Sequence, residues 1–232
     1  MDKYVILCYG DSNTHGTIAR WNANEESRRY DCNTRWPCVL QRELGDSFHV
    51  IEEGLPCRTT IYTEQGEKPY LNGLYMLEGI LQTHKPIDLV ILMLGTNDMK
   101  LSTALPKEEQ GRGIETLAKL ILERTDIGRD GKSPEVLIVS PPVLSKSDPK
   151  GRTEVYQMFH GEYGIEQSMS NPKIYLQIAN RLGCHFFNSQ DYVSVDLGDG
   201  VHITAKSHIL LGKALANQVM DISRGKINND PV

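Results

Sequence analysis

The sequence has 232 residues, 39% hydrophobic and 24% charged, a composition that can bury a sizeable core and excludes global disorder. Its formal net charge of −5, without any basic stripe, argues against a nucleic-acid partner. No stretch approaches the roughly 20 apolar residues that span a bilayer, and the first apolar run does not resemble a signal peptide. We therefore expect a cytoplasmic protein without a membrane partner. The length predicts that residues 1–232 form a single domain.

Five apolar runs along the chain predict β-strands. They cover residues 4–9, 49–51, 87–94, 135–140 and 184–188. The third run reads IDLVILML, and such continuous runs rich in Val and Ile are typical of strands buried on both faces of a parallel sheet.

Amphipathic segments between and after these runs predict helices. They cover residues 36–44, 74–83, 107–124, 172–182 and 205–223. The alternation of strand and helix, with right-handed crossovers, indicates an α/β fold: a three-layer α/β/α sandwich around a flavodoxin-like, doubly wound parallel sheet of about five strands. The polar segments 22–35 and 144–171 are predicted to be loop insertions that cover a site.

A serine follows the first predicted strand, in Gly10-Asp11-Ser12. Ligands of doubly wound sheets bind at the carboxyl ends of the strands, and a backbone N–H that opens a helix attracts anions. Ser12 therefore lies where a reacting atom could be presented. A simple helix cap explains the same residues, so this motif alone does not decide.

Turn residues also follow the second and third predicted strands. Gly54 could bring its backbone N–H close to a ligand, and the side-chain amide of Asn97, in Gly95-Thr96-Asn97-Asp98, could stabilise a developing oxyanion. Both segments are equally compatible with ordinary turns.

Asp199 precedes His202 by three residues, just before the last predicted helix. At this spacing the carboxylate could bind one ring nitrogen, fix the tautomer and leave the other nitrogen as a base. A turn followed by a helix-capping histidine is the alternative. The five cysteines have irregular spacings without a CxxC pair, and no metal site is expected.

Together, these four segments in this order resemble the SGNH (GDSL) hydrolases, whose four name-giving residues correspond to Ser12, Gly54, Asn97 and His202. The stretches 50–55, 58–60, 71–73 and 88–100 are similar to the bacterial arylesterase/acyltransferase branch of that family. The similarity extends over almost the whole chain and is weakest in residues 22–35 and 144–171.

The resemblance implies that Ser12 is the nucleophile, His202 the general base and Asp199 the residue that orients the base. It also implies an oxyanion hole formed by the backbone N–H groups of Ser12 and Gly54 and by the Asn97 side chain. Supporting or pocket positions are Asp11, His15, Thr96 and Lys100. No metal or organic cofactor is implied.

The function expected from the resemblance is hydrolysis of small carboxylic esters through an acyl-enzyme on Ser12, with water or another alcohol as acyl acceptor. His15 and Thr17 stand where relatives with strong acyl transfer carry aromatic residues, which predicts a wider or more polar pocket. A carbohydrate acetylesterase or deacetylase of the same fold is an alternative, and a catalytically inactive flavodoxin-like binding module is another. Homo-oligomers are also implied, with 144–171 as the candidate contact region.

Overall fold

The computed structural model describes residues 2–63, 66, 68–103, 105–106 and 109–227, of which 225–227 by backbone alone. Five strands form one sheet, and every neighbouring pair is parallel. The strands are β1 (Tyr4–Gly10), β2 (Phe48–Gly54), β3 (Leu89–Met93), β4 (Glu135–Val139) and β5 (His185–Phe187). β2 continues past the predicted end at Ile51 because Glu52 and Glu53 still pair with β1, although their polarity ends the apolar pattern.

The strand order β2-β1-β3-β4-β5 confirms the predicted flavodoxin-like sheet. After β1 the chain adds β2 on one side of it, and then crosses to β3 on the other. In doubly wound sheets a crevice opens at this reversal, outside the carboxyl ends of the strands. β1 and β3 pair in register up to Gly10 and Met93, so both strands end at the same edge.

Helices cover both faces of the sheet. Within the described residues they are α1 (Ser12–His15), α2 (Trp36–Leu44), α3 (Gly73–His84), α4 (Arg112–Glu123), α5 (Thr153–Met158), α6 (Glu162–Leu182) and α7 (Ala205–Ile227). Alternate residues of β1 point to opposite faces. Leu7 and Tyr9 pack with α3, α4 and α6, whereas Ile6 and Cys8 pack with α2 and α7. None of the described helices is long and apolar enough to cross a lipid bilayer.

The segment 144–171 is not the loop that its polar composition predicts. α5 and the first half of α6 lie within it. α5 buries Val155 against a small apolar cluster that also contains Leu144 and Val201. Segment 22–35 contains turns and one residue, Arg29, that forms a bridge with Thr17.

Two helix starts differ from the predictions by five residues or more. α6 begins at Glu162, ten residues before Pro172, the predicted first helical residue. A proline inside a helix leaves the carbonyl four residues earlier without its usual donor. Here that carbonyl, on Ser168, accepts a hydrogen bond from Nε2 of Gln190 at 2.9 Å, so the helix continues through the proline. α4 begins at Arg112, and the predicted start at 107 lies outside the described residues.

Candidate functional site

Ser12 opens a single helical turn directly after β1. Asp11 caps this turn, since its Oδ1 accepts the backbone N–H of Asn13 at 2.9 Å, and Gly16 ends it in the left-handed conformation with φ 85°. A serine at this position has its backbone N–H at a helix start, where unpaired N–H groups favour negative charge. Ser12 is 6% exposed, so it is almost fully buried at the end of β1.

The carboxyl group of Asp11 is buried beneath this turn. Burial raises its pKa to about 6, although the N–H of Asn13 and the charge of His202 favour the ionised form. The nearby Thr96 hydroxyl also favours the ionised form of Asp11, although within the described residues its oxygen has no partner at hydrogen-bond distance and angle. Asp11 therefore shapes the turn as a cap.

Gly54 ends β2 opposite Gly10 and packs directly on α1. A Cβ atom at Gly54 would lie 2.2 Å from the backbone nitrogen of His15, a separation that real atoms do not reach. Only glycine therefore lets β2 end against the turn that carries Ser12. This contact brings the backbone of Gly54 beside the turn that carries Ser12.

Asn97 begins a 3₁₀ turn, Asn97–Met99, after β3. Its side chain is buried, and Nδ2 donates to the backbone oxygen of Arg58 at 3.0 Å. An amide nitrogen has two hydrogens, so this bond fixes the amide and leaves the second N–H for another acceptor. Lys100 is 7% exposed at the end of the turn, where its backbone N–H binds the Asn97 carbonyl at 3.3 Å.

Asp199 and His202 form a direct pair. Nδ1 of His202 lies 2.7 Å from Oδ2 of Asp199, and Oδ1 accepts the backbone N–H groups of Val201 and His202 at 3.0 Å each. Burial raises the pKa of Asp199, but its bonds and charge interaction with His202 outweigh this, so the pKa is lowered below its usual value. An ionised carboxylate on Nδ1 holds the imidazole with Nε2 as the remaining nitrogen.

Asn13 brings this pair to the serine. Its Oδ1 accepts the N–H of Ile203 at 3.0 Å, and its Nδ2 donates to the oxygen of Val201 at 3.3 Å. The residues on either side of His202 are thus bound to the residue that follows Ser12. No role for Asn13 follows from the sequence motifs alone, although an asparagine beside the candidate nucleophile is a usable signal.

Arg58 is a second residue of the site whose role does not follow from the sequence motifs. It is 3% exposed, and it contacts the ends of both β1 and β2. Its position in a polar stretch after β2 gives no sequence signal of burial, because arginine is almost always exposed.

His15 lies on the same turn as Ser12 but has different partners. Its Nδ1 lies 3.2 Å from Oγ1 of Thr17, a neutral group. Burial, and then the charges of Arg29 and Arg35, lower the pKa of His15. Within the described residues, the hydrogen bond of the His15 ring is therefore to a hydroxyl, whereas that of His202 is to a carboxylate.

The arrangement suits nucleophilic acyl transfer. The carboxylate-bound imidazole of His202 is linked through its chain neighbours to Asn13, the residue after Ser12, and the amide of Asn97 follows the adjacent strand β3. Among the described residues, no group of three or more His, Cys, Asp or Glu side chains is placed to hold a metal ion.

Comparisons with known proteins agree with this chemistry. The model of the GDSL-like lipase/acylhydrolase family matches residues 8–208. Est24, a carbohydrate acetylesterase from Sinorhizobium meliloti, is 36% identical with a TM-score of 0.85, over 95% of this chain and 100% of that one. The M. smegmatis aryl esterase is 34% identical with a TM-score of 0.83, over 94% of this chain and 99% of that one. No curated protein matches the chain significantly.

Proposed function

Because the chain belongs to the GDSL-like lipase/acylhydrolase family and is a carboxylic ester hydrolase, we propose that it cleaves small esters through an acyl-enzyme on Ser12. Water resolves the acyl-enzyme, and another alcohol can take its place as acceptor. The family assignment does not support the alternative of an inactive binding module.

The observation that carries this proposal is the position of His202. Its Nδ1 binds Asp199 at 2.7 Å, and its two neighbours in the chain are bound to Asn13, next to Ser12. Nε2 is then the nitrogen that accepts a proton from the serine.

In the proposed reaction, Ser12 Oγ attacks the ester carbonyl while His202 takes its proton. Asp199 stabilises the imidazolium, which next protonates the leaving alcohol. The backbone N–H groups of Ser12 and Gly54 and the free N–H of Asn97 bind the negative oxygen. Loss of one such donor typically lowers kcat by ~10²–10³-fold. A water molecule then attacks the acyl group, with His202 again as the base.

Three single variants test this mechanism. We expect Ser12→Ala to abolish labelling by a fluorophosphonate. Ser12→Ala and His202→Ala should each lower kcat on p-nitrophenyl acetate by several orders of magnitude, because the serine and its base act as one unit. His15→Ala is the matched control on the same turn, and it should retain most of the activity.

A fluorophosphonate adduct on another residue would exclude the mechanism. So would a His202→Ala enzyme as active as the His15→Ala control.

A sugar acetate is a second candidate substrate, favoured by a groove beside the loop of Asp199. The groove has a volume of about 330 Å³. It is lined by Lys146, Ser147, Thr153, Glu154, Tyr156 and Gln157. The start of this segment binds that loop, since the N–H of Ser145 donates to the carbonyl of Gly200 at 2.9 Å. Polar side chains around one aromatic ring suit an alcohol with several hydroxyl groups.

This candidate predicts faster hydrolysis of acetylated xylose or glucose than of p-nitrophenyl acetate, compared by kcat/KM. Because the groove would bind the sugar and not the acetyl group, Tyr156→Ala should slow the sugar ester alone. If Tyr156→Ala lowers kcat/KM equally on both esters, or if the wild-type enzyme prefers the aryl ester, the sugar acetate is not the substrate and the protein is an arylesterase.

A further inference from the structure

Arg58 is a buried cation that the proposed reaction does not use. It lies in the turn after β2 and is 3% exposed. Burial disfavours the charged form and lowers the pKa of its guanidinium. An ion held away from water in this way costs free energy unless its contacts compensate for it. The contacts of the Arg58 guanidinium must therefore compensate for this cost.

The guanidinium joins the ends of two strands. Nη1 donates to the carbonyl of Gly10 at 3.0 Å and also to the carbonyl of Glu53. Gly10 lies two residues before Ser12, and Glu53 directly precedes Gly54. The same guanidinium lies over the Tyr9 ring, 4.2 Å from its centroid, which fixes its plane. One side chain thus sets the spacing of the two backbone segments that lead to the proposed oxyanion donors.

The backbone of Arg58 fixes the third donor. Its carbonyl accepts the hydrogen bond from Nδ2 of Asn97 at 3.0 Å. Two residues later, Thr60 binds Asp98 through its backbone N–H at 2.8 Å and its hydroxyl at 2.6 Å. The turn after β2 is therefore bound firmly to the turn after β3.

We propose that Arg58 is a positioning residue that holds the backbone of Ser12, the backbone of Gly54 and the side-chain amide of Asn97 at the spacing one oxyanion requires. The proposal rests on the function proposed above. It assigns Arg58 no contact with the substrate, since its side chain acts on the carbonyls behind the donors.

The expected consequence falls on kcat and not on KM. An ester carbonyl carries little charge until the nucleophile attacks, so donors placed for the oxyanion act mainly in the transition state. A displacement of about 1 Å in such a site can cost ~10²-fold in rate. A merely structural arginine would change the unfolding temperature and leave kcat of the folded enzyme intact.

The test compares Arg58→Met and Arg58→Lys with Arg129→Met. Arg129 binds Asp88 at 3.1 Å and the carbonyl of Lys3 at 2.8 Å, at the opposite end of the strands, and so serves as a structural control away from the site. On p-nitrophenyl acetate we expect Arg58→Met to lower kcat by ~10²-fold with KM within about threefold of wild type. Arg58→Lys, which can reach one of the two carbonyls, should lose about tenfold, and Arg129→Met should keep wild-type kcat.

A double variant separates positioning from general weakening. If Arg58 acts through Asn97, the kcat loss of Arg58→Met combined with Asn97→Ala should be well below the product of the two single losses. Melting temperatures of all variants, measured in parallel, identify any effect that follows stability alone.

Several results would overturn the proposal: a folded Arg58→Met enzyme with unchanged kcat, a kcat loss equal to that of the Arg129 control, or fully multiplicative losses in the double variant. Should Arg58→Met not fold, wild-type kcat in Arg58→Lys would overturn it as well. Failure of the proposed function looks different, because wild-type turnover would then persist in Ser12→Ala.

Discussion

At the scale of single residues, Asn13 uses both ends of one amide to join distant segments. Its oxygen accepts the N–H of Ile203 and its nitrogen donates to the carbonyl of Val201, partners that are 190 and 188 positions further along the chain. Asn13 is 1% exposed, so water cannot replace these bonds in the folded protein. The position of His202 relative to Ser12 depends on this side chain.

We therefore expect Asn13→Ala to impair both catalysis and folding. Two buried backbone groups lose their partners, at a cost of about 1–3 kcal/mol each, and a displaced His202 should lower kcat by about tenfold or more. Unfolding in urea and kcat on an activated ester would measure the two effects.

Asn188→Ala is the matched control for this variant. Asn188 likewise uses both ends of its amide: its oxygen accepts hydrogen bonds from Oγ of Ser140 and the N–H of Gln190, and its nitrogen donates to Oδ1 of Asp191 at 2.9 Å. It follows the edge strand β5. It should lose stability and keep kcat. Equal kcat in the two variants would contradict the role assigned to Asn13.

At the scale of elements, the site depends on how closely α1 and β2 approach. A one-turn helix between Asp11 and Gly16 ends before it can extend over the sheet edge, which leaves room for the end of β2. Gly54 meets the backbone of His15 there, without a side chain between them. The short helix and the glycine together place two backbone segments side by side at the switch point of the sheet.

At the scale of the whole molecule, His208 links the pH to the stability of the face formed by α2 and α7. It is fully buried, and its Nδ1 accepts the N–H of Trp36 at 3.4 Å. Burial, and then the charges of His202 and Arg35, lower its pKa from 6.5 to about 3. The folded protein keeps this ring neutral at pH values where the unfolded chain protonates it.

Because folding lowers the pKa of the His208 ring, acid destabilises the folded state. The contribution of His208 to stability is complete above pH 6.5 and is lost as the pH falls from 6.5 towards 3, by up to about 1.4 kcal/mol per pH unit. Asp11 acts oppositely, since its raised pKa of about 6 lets the folded state bind a proton first.

His208→Asn should therefore weaken the acid sensitivity of folding. The asparagine oxygen can accept the N–H of Trp36 but does not titrate. Urea unfolding between about pH 6.5 and pH 4.5 should give a shallower fall of the free energy of unfolding with acidity than in wild type. The difference between the two proteins cancels the contribution of Asp11. Parallel curves would show that His208 does not titrate in this way.

The sequence by itself determined the order of the five strands, the presence of five of the helices, the sheet type and the turn residues that follow the strands. These follow from local properties: continuous apolar runs, helical periodicity, and turn residues directly after strands. Asp199 and His202 were readable as a pair because three residues span one turn.

The tertiary structure alone decided which distant groups meet. The bonds of Asn13 to 201–203, the burial of Arg58 behind two strand ends, and the passage of α6 through Pro172 depend on partners far along the chain. Such contacts leave no periodic pattern in the sequence. They exist only once the sheet has brought the strand ends together, since a single polar side chain gives no sign of which distant backbone group will satisfy it.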